Sequence, residues 1–154
     1  MEGAISMSIY TVLGGEHNEV KALFATLRAT PGSGKKAVFD KIYAELISHS
    51  RAEQETVYDV AAERIPFGII DEAEEEHAEM ERILNELREK DVGSSDWMQR
   101  FEALVTAVQD HVTEEEGRMF QEMREVFSDD EARQMAKEFR DAKKVHLENI
   151  QTTA

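Results

Sequence analysis

In the stretch Leu46-Ile47-Ser48-His49-Ser50-Arg51-Ala52-Glu53-Gln54-Glu55-Thr56-Val57, residues Leu46, His49, Glu53 and Val57 follow one another at steps of three, four and four. On an α-helix such steps return to one face, because about 3.6 residues complete a turn. A stripe bounded by leucine and valine faces a core, so His49 and Glu53 are directed inward with it. Val108, His111, Glu115 and Met119 repeat the same steps. Two helices therefore each bring a histidine, and a carboxylate one turn later, into an apolar interior.

Working outward, Leu13, His17, Val20 and Phe24 share a face by the same arithmetic, as do Ala73, His77, Met80 and Leu84. The first helix is expected from about Ser8, its cap, to about Ala29, with Leu27 completing the stripe. Gly14 and Gly15 weaken its early turns, and Thr30-Pro31-Gly32-Ser33-Gly34 ends it. The second runs from about Lys35 to Ala62 and carries Phe39, Ile42, Leu46, Val57 and Val60; it stops before Ile65-Pro66-Phe67-Gly68. The third, about Ile69 to Glu89, presents Ala73, Met80, Leu84 and Leu87. Asp91 to Ser95 reads as a turn with a capping serine, and the helix after it shows Phe101, Leu104, Val108, Met119 and Phe120.

No stretch alternates apolar and polar residues for long enough to argue for strands. Short loops force neighbouring helices side by side, so the expected fold is all-α, an antiparallel up-down four-helix bundle over residues 8-127. Ser128-Asp129-Asp130-Glu131 has capping-box spacing and opens an additional C-terminal helix over 128-150, with Met135, Phe139, Ala142 and Leu147 toward the bundle. The 154 residues suit a single domain, with Met1 to Ser6 read as a disordered leader before a second possible start at Met7.

The formal charge of -15, from 33 acidic and 18 basic residues, opposes contact with nucleic acid or anionic membranes. The N-terminus has no secretory pattern and no apolar run would span a bilayer, so a cytoplasmic protein is expected. The absence of cysteine excludes thiolate zinc sites and cysteine-ligated iron–sulfur clusters, leaving nitrogen and oxygen donors for any metal.

Six inward polar groups, His17, His49, Glu53, His77, His111 and Glu115, thus converge. Left without partners they would cost about 1 to 3 kcal/mol each, and more if ionised. A pair of metal ions satisfies them together. The chain also states one pattern twice: His17 precedes His49-x-x-x-Glu53 by 32 residues, and His77 precedes His111-x-x-x-Glu115 by 34. Two related hairpins packed face to face imply pseudo-twofold symmetry, with Glu53 and Glu115 placed to bridge two metals.

The ordered set of Glu16-His17-Asn18-Glu19, the two His-x-x-x-Glu units and Glu76-His77-Ala78-Glu79 resembles the hemerythrin-like HHE cation-binding family from Met7 to about Phe127. The acidic and aromatic residues after each histidine, Glu53-Gln54-Glu55-Thr56-Val57-Tyr58 and Glu114-Glu115-Glu116-Gly117-Arg118-Met119-Phe120, strengthen the likeness. The resemblance implies a non-haem centre of two iron ions, held by the six residues and compatible with an oxo or hydroxo bridge. It also implies a small diatomic ligand or peroxide as the partner, in binding or in turnover such as peroxide removal; metal storage or sensing is the alternative. Oxygen-carrying hemerythrins have a further histidine where this chain has Ala73, which leaves a position open, water-filled or available to Glu74. That departure counts against reversible oxygen carriage. A cysteine-bearing segment, as in an iron–sulfur repair branch of the family, is missing.

Several residues have plainer readings. His146 has no carboxylate one turn later and reads as a surface histidine. Glu55, Glu114 and Glu116 read as a solvated face, and Met80 and Met119 as packing. Tyr58 reads either as a core aromatic or as a group beside the metals. Ferritin-like sites use Glu-x-x-His units, the reverse of the order found here.

Overall fold

Ser8 caps the first helix, its Oγ accepting the Thr11 N–H at 3.3 Å, so that α1 (Ile9–Ala29) starts where the sequence places it. The computed structural model describes residues 7–153, with side chains described to residue 150. Residues 1–6, read above as a leader, lie outside the described residues. α2 begins as Gly34–Glu53, passes through a π-helical turn at Gln54–Tyr58 and ends with Asp59–Ala61. After a loop in which Gly68 takes a positive φ of 98° comes α3 (Ile69–Glu89). α4 comprises Trp97–Glu114, a second π-helical turn at Glu115–Met119, and Phe120–Val126. α5 spans Asp129–Thr153. Its capping box is reciprocal: Glu131 N–H donates to Ser128 Oγ at 3.0 Å, and Ser128 N–H donates to Glu131 Oε1 at 2.8 Å.

Two local expectations are corrected. Asp96, without a side-chain cap bond, stands at the start of α4 in place of a capping serine. Ser94 instead donates its hydroxyl to the Asp91 carbonyl within the turn. The junction is held by the buried Trp97, whose indole N–H donates to the Leu87 carbonyl at 3.0 Å. Val60, expected on the inner stripe, is 42% exposed, while Tyr58 and Ala61 are buried. The π-helical turn adds a residue to the helical circuit, so the inward face passes from Val57 to Tyr58 and Ala61 and leaves Val60 outside.

α1 packs on α2, α3 on α4, and α5 lies chiefly along α2 and also against α1. The end of α1 meets the start of α2 and the end of α3 meets the start of α4, as an antiparallel bundle requires. Val20, Phe24 and Leu27 share a cluster with Phe39 and Ile42, and Leu84 and Leu87 with Trp97 and Phe101. The other end has its own cluster, in which Ile9, Leu13, Val57, Ile69, Ala73, Met119 and Phe139 take part. The apolar core is thus divided in two at half-height. His17 falls between the halves on α1, His49 on α2, His77 on α3, and His111 with Glu115 on α4.

Candidate metal centre

The belt between the two apolar clusters contains all six residues singled out from the sequence. Their donor atoms form two groups, Glu53, His77, His111 and Glu115 in one and His17, His49 and Glu115 in the other, each with its atoms within 4.8 Å of one another. Each of the four site histidines turns Nε2 inward. His17 Nε2 lies 3.1 Å from Glu115 Oε1, and His111 Nε2 lies 3.5 Å from Glu115 Oε2. His49 Nε2 and His77 Nε2 approach the same oxygen, Glu53 Oε1, at 3.3 and 3.2 Å. Both π-helical turns start at, or directly after, a site glutamate, so the two helices carrying His-x-x-x-Glu distort at equivalent places.

Three imidazoles are oriented from outside by a carboxylate on Nδ1. Glu16 accepts from His49 at 2.9 Å, Glu76 from His111 at 2.7 Å, and Glu116 from His17 at 2.6 Å. Such a bond fixes the tautomer that leaves Nε2 free for a metal. The pseudo-twofold extends to these partners, because Glu16 and Glu76 each precede a site histidine and each holds the histidine of the next helix. It breaks at Gln54, which occupies the place after Glu53 that Glu116 occupies after Glu115. Gln54 donates to Glu74 at 2.5 Å and to Asp59 at 3.0 Å. Glu74 lies in neither donor group. Beside Ala73 is a small cavity of about 10 Å³, also lined by Glu76 and Glu115, close to the least that holds one water.

Tyr58 joins the centre. Its hydroxyl donates to Glu115 Oε2 at 2.6 Å and lies 3.2 Å from both His77 Nε2 and His111 Nε2, and its ring stacks on His77. Sequence reasoning left its role open and read Glu116 as solvated; Glu116 is exposed yet orients His17. The Glu-His pair at 16–17, repeated at 76–77, was the available signal for the outer carboxylates. His146 is half-buried and pairs with Glu55 at 3.0 Å, apart from the centre.

The electrostatics are those of a site short of positive charge. Burial opposes protonation of His49, but Glu53 and the hydrogen bond to Glu16 hold it up to about 10. Burial likewise opposes protonation of His111, which hydrogen bonds to Glu115 and Glu76 hold up to about 10. Burial works to raise Glu115, yet the groups that face it, Glu53, His111 and His17 among them, keep it well below the usual carboxylate range. Burial, reinforced by Glu115 and Glu53, pushes the Tyr58 hydroxyl well above 10. Five buried side-chain N and O atoms among the described residues have no hydrogen-bond partner, and four are here: His17 Nε2, both Glu53 oxygens and Glu115 Oε1. His77 Nε2 and His111 Nε2 also face each other at 3.0 Å. Lone pairs and orphaned oxygens aimed at common points fit cations bound among them.

A model of the hemerythrin HHE cation binding domain matches residues 8–123. The chain belongs to this family. The hemerythrin HHE domain likeness extends to a solved structure, that of a hemerythrin HHE cation binding domain-containing protein from Mycobacterium kansasii. It superposes with a TM-score of 0.83 at 22% identity, covering 93% of this chain and 89% of that chain, which shows the shared fold. A DNA nickase of Nostoc sp. is 31% identical over 138 residues; they make up 89% of this HHE chain and 39% of the nickase. The chain therefore spans about two fifths of that relative's length. No helix among the described residues is long and apolar enough to cross a membrane.

Proposed function

We propose that this HHE protein is a non-haem di-iron protein whose His/Glu centre binds or reacts with dioxygen, peroxide or nitric oxide. The observation that carries the reading is the sharing of Glu115 by both donor groups, with Oε1 toward His17 and Oε2 toward His111. A carboxylate turned in this way is placed to bridge two metals. In this reading His17 and His49 would hold one iron, His77 and His111 would hold the other, and Glu53 and Glu115 would supply carboxylate oxygens to the pair. Imidazole and carboxylate also accept zinc, manganese or copper, so the choice of iron follows the family likeness.

Bound iron would supply electrons to a small oxidant, shared between two metals. The chain's own residues prepare the place. Leu13, Leu46, Leu84 and Val108 close it above and below with buried apolar groups. Tyr58 keeps its proton on Oη and presents it toward Glu115. A cavity of about 480 Å³, lined by His17, Asn18, Lys21, Thr113 and Glu116, brings solvent to the His17 side. That opening suits a small polar ligand.

The test is to load the protein with ferrous iron without oxygen, then mix it with dioxygen, peroxide or nitric oxide while following the oxidant and the optical spectrum. Reaction or binding with at least one is expected. An iron-loaded protein inert to all three would overturn the reading. The alternative, metal storage or sensing without turnover, draws on the orphaned buried carboxylates, which make filling the site stabilising. Many equivalents of oxidant consumed per protein would exclude it. Strand nicking, the activity for which the Nostoc relative is named, is not expected of this chain: its charge of -15 opposes a phosphate backbone, and unchanged supercoiled plasmid is the expected outcome of a nicking assay.

A further inference from the structure

α5 begins beyond residue 123, where the family match ends, yet two of its side chains reach the centre. Phe139 sets its ring edge-on to the His49 imidazole, with centroids 5.4 Å apart and planes at 74°. One turn later comes Lys143, a lysine only 8% exposed. Its ammonium donates to Glu16 Oε2 at 2.7 Å and to Glu45 Oε1 at 2.6 Å. The other oxygen of Glu16 accepts the His49 Nδ1–H at 2.9 Å. An unbroken line of charge-assisted bonds thus runs from α5 through Glu16 on α1 to His49 on α2.

The other hairpin offers an internal comparison. Glu76 is the counterpart of Glu16 and holds His111 in the same manner, but among the described residues it has no lysine or arginine partner. Its side chain is 31% exposed, against 15% for Glu16. A carboxylate gripped on both oxygens cannot rotate away from the imidazole, whereas one gripped on a single oxygen retains that freedom. A buried lysine is an expensive means of filling space, which two carboxylates alone would not require.

We propose that Lys143 is a positioning residue for the metal centre: acting through Glu16, it locks the His49 ring and makes the His17/His49 metal position unlike the His77/His111 position. α5 is then part of the site's construction as well as a cover for α2. The inference rests on the two-metal reading given above.

The test compares the unaltered protein with Lys143→Met and Lys143→Gln, titrating each metal-free protein with cobalt(II) and with zinc(II) under chelator competition. Circular dichroism checks that each variant is folded. The downfield proton resonances of the histidine Nδ1–H groups are recorded in the zinc-loaded state. Loss of a carboxylate bonded directly to a ligating imidazole weakens a metal by about 10- to 100-fold, and loss of Lys143, one bond further from the ring, is expected at the lower end of that range, about 10-fold. The expected result is a weakening of that order for one of two metals, with faster exchange of the His49 proton and an unmoved His111 proton. Lys143→Arg should restore much of both. Two metals bound with unaltered affinity and an unmoved His49 resonance, in a folded variant of either kind, would overturn the proposal. Should both variants fail to fold, Glu16→Gln carries the same comparison, and equal weakening of both metals in it would overturn the proposal. An unaltered protein that binds neither cobalt nor zinc would instead overturn the two-metal reading.

Discussion

Tyr58 donates its hydroxyl to Glu115 Oε2 across 2.6 Å, between two buried groups on opposite hairpins. The bond exists because the π-helical turn at Gln54–Tyr58 swings Tyr58 inward. It gives a buried carboxylate a donor while the other oxygen, Oε1, has none. Replacing Tyr58 with Phe should therefore lower the stability of the metal-free protein by about 1 to 3 kcal/mol, the cost of depriving a buried acceptor. Urea unfolding measures this, and stability equal to that of the unaltered protein would mean that Glu115 does not depend on Tyr58.

Glu115 belongs to both donor groups, whereas His49 belongs to one. Glu115→Ala should weaken both metals, while His49→Ala should weaken one and leave the other near its original affinity. Zinc titration followed by calorimetry separates the cases. A Glu115→Ala protein that loses a single zinc would argue against a shared ligand.

The metal-free protein should lose stability toward alkaline pH. His49 and His111 are held up to about 10 when folded, against 6.5 as the ordinary value. A group raised by folding contributes its full stabilisation below 6.5 and loses it as pH climbs through about 10. Glu115, held low, contributes in the opposite direction, losing its stabilisation as pH falls below the carboxylate range. Melting temperature should thus fall between pH 6.5 and 10 in the metal-free protein, and metal uptake at neutral pH should release protons. A flat alkaline limb together with proton-neutral zinc binding would show that these imidazoles are not charged when the site is empty.

Trp97 lies in the apolar half of the core remote from α5's Phe139 and closes the α3–α4 junction through Leu87. Trp97→Ala should cost about 3 to 5 kcal/mol by opening a cavity. Metal affinity should change little, since the affected packing is at the end of the bundle. Chemical denaturation and zinc titration of the same sample check both halves of the statement, and a large loss of affinity would show that the two halves of the core are not separable.

The helices and the inward histidines were legible because three- and four-residue steps carry the information, and Leu46, His49, Glu53 and Val57 state it without reference to distant residues. The order of histidines and glutamates supplied the family. Val60 shows where such reading stops: a π-helical turn obeys a different period, and only the adjacent pairs Val57-Tyr58 and Met119-Phe120, both buried, hint at it. The outer partners of the histidines were harder still. Glu116 and Lys143 act across 99 and 127 residues of chain, on His17 and Glu16 respectively, and no local periodicity encodes a contact of that kind. The serine expected to cap α4 gave way to a tertiary anchor, the Trp97 indole, for the same reason.

The central claim is that the belt of six histidine and glutamate side chains holds two irons. Iron analysis of protein purified without added metal, repeated after anaerobic reconstitution with ferrous iron and joined to an optical spectrum before and after azide, tests it most directly. The account predicts about two irons per chain and a charge-transfer absorption that azide alters. Protein that takes up no iron even after reconstitution would contradict it.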